Sequence, residues 1–69
     1  MNTFDPQMRE LLLKRMETRT AQGRATGIYQ LEGYYTPEQQ IEEARRGTPA
    51  GEEFLFAEKK LMDELKRRM

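Results

Sequence analysis

The chain has 69 residues, with 12 basic and 12 acidic side chains and no histidine, cysteine or serine. That length predicts one domain, residues 1–69, which buries only about 60% of its unfolded surface and is marginally stable alone. Disulfides are excluded, and without thiolates or imidazoles we expect no metal site and no cofactor. The usual nucleophilic triads cannot be assembled either, so we expect no catalytic residues and no enzyme.

The charges are spread evenly along the chain. Residues 1–35 hold five basic and four acidic groups, and residues 36–69 hold seven and eight. This balance argues against nucleic-acid binding through phosphate contacts. No apolar run reaches the length of a membrane span, and the N-terminus has no signal-peptide core, so we expect no membrane association and a cytoplasmic location.

The first predicted helix covers about residues 6–19. Asp5 is a good N-cap, and Pro6 fits the first helical position. Four apolar residues recur at helical spacing: Met8, Leu11, Leu12 and Met16. We interpret this face as core, with an adaptable recognition surface as the alternative, because methionine tolerates varied partners.

The segment 21–35 is predicted to be an irregular loop, because three glycines interrupt it. Residues 26–31 have the composition of one short strand. A lone strand has no pairing partner, so we expect such a strand to need one from another subunit.

The same loop holds candidate ligand-binding residues. Arg24, Thr26 and Tyr29 would offer a guanidinium, a hydroxyl and a ring to a small anionic or nucleotide-like ligand, and glycines on either side of Arg24 expose backbone amides. The alternative is a flexible exit from the first helix. The tyrosines of the loop, Tyr29, Tyr34 and Tyr35, are a second feature. We expect Tyr34 or Tyr35 to pack the loop onto the next helix, and the alternative is a stacking surface for a planar ligand or a contact surface for protein.

A second and a third helix are predicted at about 37–46 and 49–68. Thr36 and Gln39 form a capping box at the start of the second helix, and Gly47 suits the left-handed position at its end. Thr48 and Pro49 repeat the cap-and-proline signal at once, which predicts a tight αα-corner at Gly47. Glu52 and Glu53 in the first turns of the third helix argue against a DNA-reading helix-turn-helix.

The third helix carries the main apolar stripe, and four aromatic or leucine side chains are our candidate partner-binding residues: Phe54, Phe56, Leu61 and Leu65. Phe56 projects roughly opposite the stripe. We expect it to be an exposed aromatic, an aromatic covered by the N-terminal segment, or an anchor for a second subunit or partner.

Glu58 lies within the stripe. A buried carboxylate needs a partner, so we expect Arg45, Arg46 or a tyrosine hydroxyl to meet it across the corner. A catalytic or ligand-binding carboxylate is the alternative.

The run Gly47-Thr48-Pro49-Ala50-Gly51, followed by Phe54, Ala57-Glu58 and Leu61, resembles a small bacterial domain family of unknown function. The family shares Gly-x-Pro-x-Gly, then an aromatic, then Ala-Glu and Leu on a helix; this chain lacks its tryptophans. The resemblance covers about residues 44–65, and it implies a helical corner, no activity, and a structural role for Glu58.

The sequence therefore predicts an all-α, three-helix domain. Its expected function is that of a non-enzymatic protein-interaction module, such as a regulator, inhibitor or assembly factor. We expect it to bind a protein partner or itself, as a homodimer or larger assembly, because the core is small. The alternative is an oligomeric binder of a small anionic ligand that uses the 23–29 loop.

Overall fold

A computed structural model describes residues 4–68 and contains the three predicted helices. They are α1 (Pro6–Ala21), α2 (Pro37–Arg46) and α3 (Pro49–Arg67), and two short strands, β1 (Ile28–Gln30) and β2 (Gly33–Tyr35), lie between α1 and α2. Residues 1–3 and 69 of the predicted domain lie outside the described residues. Within residues 4–68, no helix is long and apolar enough to cross a membrane.

The helix ends form as predicted. The Asp5 side chain accepts a hydrogen bond from the Met8 amide, and the capping box between Thr36 and Gln39 is complete. Gly47 ends α2 with φ 73°, in the left-handed region, and α3 begins two residues later. The αα-corner is confirmed.

The connection between α1 and α2 is a β-hairpin. Ile28 pairs with Tyr35 and Gln30 with Gly33, which leaves Leu31 and Glu32 as a two-residue turn. The predicted short strand is therefore present. Our expectation that another subunit would have to pair with it was wrong, because β2 lies in the same chain and was not predicted.

The core lies where the three helices meet. Its buried side chains come from all three: Leu12, Leu13, Met16, Ala44, Phe54, Leu55 and Met62. The hairpin is attached to this core through Tyr35, whose ring packs edge-on against Phe54 with centroids 5.2 Å apart. The Met- and Leu-rich face of α1 is thus mainly core.

The backbones of α2 and α3 are in close contact at Gly51. A Cβ atom there would lie 2.6 Å from the backbone nitrogen of Ala44 and closer still to the Glu43 carbonyl oxygen. Such a separation is well inside van der Waals contact. The absence of a side chain at residue 51 therefore allows the two backbones to touch.

Ion pairs join α1 to α3. Arg9 pairs with Glu52 and Arg15 with Glu58, at the same sequence separation of 43 residues, so the two helices run in the same direction. Arg19 also contacts Glu58. Our expectation that Glu58 would meet Arg45, Arg46 or a tyrosine was wrong; Arg45 pairs with Glu17 and Arg46 with Glu43.

Candidate functional site

An apolar groove runs between α1 and α3. It has a volume of about 700 Å³, and the apolar residues of its lining are three leucines, Leu11, Leu61 and Leu65. Each of these leucine residues keeps between 36% and 46% of its surface exposed. Together they form a cluster of leucines that the chain itself leaves partly uncovered.

The helical spacing explains how the groove forms. Leu11, Lys14, Arg15 and Thr18 follow the i, i+3, i+4, i+7 pattern, so they share one face of α1. Leu61 and Leu65 are one turn apart on α3. Two parallel stripes thus face each other across the groove, and Arg24 closes one end from the loop after α1.

The rim of the groove is basic. Among the described residues, the charged side chains of the lining are all cationic: Lys14, Arg15, Arg19 and Arg24. One carboxylate, Glu58, lies beneath them and is paired with two of the four. The site as a whole therefore keeps an excess of positive charge, close to an apolar surface.

Glu58 fixes two of these cations. The residue is 2% exposed, and its Oε2 accepts a hydrogen bond from Arg15 Nε at 3.2 Å. Its Oε1 accepts one from Arg19 Nη2. A buried carboxylate between two guanidinium groups holds both in defined positions at the groove wall, because an unpaired buried charge is costly.

Arg19 has donor capacity left over. Its Nε is buried and has no hydrogen-bond partner among residues 4–68. A guanidinium has five N–H donors, and Glu58 alone does not use all of them. The Arg19 side chain is 34% exposed while its Nε is buried, so a further acceptor such as a carboxylate reaches it through the Nη donors.

The predicted partner-binding residues separate into three environments. Leu61 and Leu65 lie in the groove, whereas Phe54 is 3% exposed and belongs to the core. Phe56 is 60% exposed, and the Phe4 ring lies against it with centroids 6.3 Å apart. It projects about 140° around α3 from Leu61, so it faces away from the groove.

The predicted ligand-binding residues are not brought together. Arg24 lines the groove, and the carbonyl of Thr26 accepts a hydrogen bond from Gln40. The exposed Tyr29 contacts the Tyr34 ring at a tilted angle. The amides of Gly23 and Arg24 donate to the carbonyls of Thr20 and Arg19, where they end α1. Those two amides are therefore already engaged within the chain.

Sequence reasoning missed the α1 wall of the groove. Leu11 was assigned to the core, and Lys14, Arg15 and Arg19 were not singled out. The one-turn spacing of Arg15 and Arg19 was a usable signal, because it places two cations on one face of α1.

No protein-family model matches this chain, and comparisons with curated proteins and with solved structures found no match. The resemblance over residues 44–65 therefore remains a prediction.

Proposed function

We propose that this chain is a non-enzymatic protein-interaction module. Its binding surface is the groove between α1 and α3, and its partner is a short segment that carries apolar side chains beside carboxylates. The observation that supports this most directly is the combination of three half-exposed leucines with four surrounding cations. An exposed apolar patch with a polar rim is typical of a protein-binding surface.

The dimensions of the groove favour a short segment. The α1 wall extends from Leu11 to Arg19, which is about 12 Å at the rise of an α-helix. That length matches one or two turns of a helix or the tip of a hairpin. A segment of this size places one or two apolar side chains over Leu61 and Leu65.

The charges favour an acidic segment. Carboxylates beside Lys14, Arg15 and Arg24 would form charge-assisted hydrogen bonds and speed the encounter. A contact between the grooves of two copies would instead bring their cations together, and juxtaposed like charges are unfavourable. Groove-to-groove dimerisation is therefore disfavoured.

Two synthetic peptides test the proposal. Both are amphipathic helices with the same leucine positions, one with glutamates and one with lysines at the flanking positions. Titration of the labelled peptides with the protein, followed by fluorescence anisotropy, should show binding of the glutamate peptide alone. The affinity should fall with added salt, because the rim is exposed to solvent.

Charge reversal locates the site. The double variant Lys14→Glu/Arg24→Glu should weaken binding of the glutamate peptide at least about tenfold, equivalent to about 1.4 kcal/mol. The control, Lys60→Glu/Arg67→Glu, makes the same change in net charge at exposed α3 positions outside the groove lining, and it should have little effect. Equal binding of both peptides, or equal loss in both variants, would refute the proposal.

A further inference from the structure

The turn of the β-hairpin is unusual in composition. Its two residues are Leu31 and Glu32, and Leu31 is 103% exposed, as open to solvent as a side chain can be. Turns of this length usually consist of polar residues and glycine. A single exposed leucine is common, but this one stands at the most protruding point of a hairpin, next to a carboxylate.

The base of the hairpin is fixed, whereas its tip is free. Gln40 is buried, and its Nε2 donates to the carbonyls of Thr26 at 3.0 Å and Tyr35 at 3.3 Å. Tyr29 and Tyr34 lie opposite each other in the strands, and their rings are in contact at a tilt of 56° with centroids 4.8 Å apart. The hairpin therefore presents Leu31 from a defined position.

The flank of the hairpin is acidic. Glu32, Glu42 and Glu43 line a shallow cavity of about 360 Å³ beside β2. Glu43 forms an ion pair with Arg46 and accepts a hydrogen bond from the Thr48 hydroxyl, whereas Glu32 at the tip is exposed. The tip thus combines an apolar side chain with carboxylates, which is the chemistry that complements the groove.

We propose that the hairpin tip of one copy of this chain binds in the α1–α3 groove of a second copy. Leu31 packs on Leu11, Leu61 and Leu65, and Glu32 lies among the cations of the rim. This inference rests on the proposed function of the groove, and it identifies the segment that the groove takes.

The contact joins different surfaces of the two molecules. Each copy carries one tip and one groove, and Leu31 is wholly exposed in the chain alone, so the tip does not fill the groove of its own copy. Two such contacts can close a two-fold dimer, or single contacts can repeat around a ring or along a chain. The surface involved is small, so association is expected at about micromolar concentrations or above.

Two variants separate the tip from the groove. Leu31→Asp removes the apolar tip at a position where the side chain has no packing role, and Lys14→Glu/Arg24→Glu reverses the charge of the groove rim. In sedimentation velocity experiments over a range of concentrations, the wild-type chain should self-associate. Each variant alone should weaken self-association at least about tenfold.

Mixing the variants provides the decisive result. The intact tip of Lys14→Glu/Arg24→Glu can still enter the intact groove of Leu31→Asp, so an equimolar mixture should form a one-to-one pair. Gln7→Asp, at an exposed position in the first turn of α1, is the control and should associate as the wild type does. Circular dichroism should show the same helical content in all variants.

Several outcomes would overturn the inference. A wild-type chain that stays monomeric while the glutamate peptide still binds would remove the hairpin as the occupant and leave the proposed function standing. If the peptide also fails to bind, both proposals fall. A mixture that stays monomeric, or variants that associate as strongly as the wild type, would assign any self-association to another surface.

Discussion

The substitution Gly51→Ala tests the close approach of α2 and α3. Gly51 is the third residue of α3, and helix propensity alone predicts that alanine stabilises a helical position by up to about 1 kcal/mol. The structure predicts the opposite sign. The added Cβ would lie 2.6 Å from the Ala44 nitrogen, and the carbonyl of Glu43 is closer still.

The magnitude follows from the shift that the new atom requires. Non-bonded carbon atoms rest about 3.5 Å or more apart, so α3 would have to move roughly 1 Å away from α2. That movement separates Ala44 from Phe54 and Leu55 in the core, and overpacking of this kind costs about 1–3 kcal/mol. The contacted atoms are backbone atoms and cannot rotate away, so the cost lies in the upper part of this range, at about 2–3 kcal/mol. After subtraction of the propensity gain of up to about 1 kcal/mol, we expect a net loss of about 1–2 kcal/mol, a large part of the stability of a domain this small.

Urea and thermal unfolding, followed by circular dichroism, measure this loss. The melting temperature should fall by roughly 5–15 °C. Glu53 supplies the matched control, because it is exposed in the same part of α3. Alanine should be more stable than glycine at residue 53 and less stable at residue 51. If Gly51→Ala is as stable as the wild type or more so, the proposed backbone contact is refuted.

Three further predictions concern the ion pairs and the hairpin. Glu58→Gln leaves Arg15 and Arg19 without their shared counter-charge and should lower the free energy of unfolding by about 2 kcal/mol. The control, Glu64→Gln at an exposed position, should change the free energy of unfolding by less than about 0.5 kcal/mol. Equal effects of the two substitutions in chemical denaturation would contradict this reasoning. Hydrogen bonds from Lys59 hold the pKa of the Asp63 carboxyl below its ordinary value, so the stabilisation from this pair is present above the carboxyl's unfolded-state pKa and is lost as the pH falls through its folded-state pKa. In an NMR titration, Lys59→Met should raise the pKa of Asp63, and an unchanged midpoint would disprove the role of Lys59. Gly33, the first residue of β2, has φ 137°, so Gly33→Ala should weaken the hairpin by about 1 kcal/mol or more and speed amide exchange in the strands while the helical signal stays constant. Unchanged exchange would show that the hairpin needs no glycine at residue 33.

The helices and their ends were predictable from the sequence, because their determinants are local. The capping box joins Thr36 to a residue three positions later, and Gly47 ends α2 through its own backbone conformation. These interactions form within a single turn. They do not depend on how the helices pack.

The partners of Glu58 were not predictable in the same way. Helical periodicity placed Glu58 on the buried face, but the choice of Arg15 and Arg19 depends on how α1 is rotated against α3. That rotation is set by the whole core. The two contacts join residues 43 and 39 positions apart, and the sequence contains no local signal for them.

The hairpin was only half predicted for a related reason. Residues 26–31 have strand-forming composition, whereas Gly33 and the two tyrosines after it do not form a clear alternating pattern. β2 is held by its pairing with β1 and by the packing of Tyr35 on Phe54. Tertiary contacts, rather than local preference, stabilise it.

The groove, like the partners of Glu58, could be located only from the packing of the helices. The apolar stripe of α3 predicts Leu61 and Leu65 as partner-binding residues, but Leu11 and the cations of α1 join them only when α1 and α3 lie side by side. Phe54 illustrates the reverse case. It belongs to the same apolar stripe as the leucines, yet the hairpin covers it.

The most direct test of the groove as a binding surface is the detection of intermolecular nuclear Overhauser effects. The protein is labelled at its leucine methyl groups, and the unlabelled glutamate peptide is added. We predict cross-peaks between the leucine side chains of the peptide and the methyl groups of Leu11, Leu61 and Leu65. A bound peptide whose cross-peaks go to Phe56 and Phe4 instead would contradict the account.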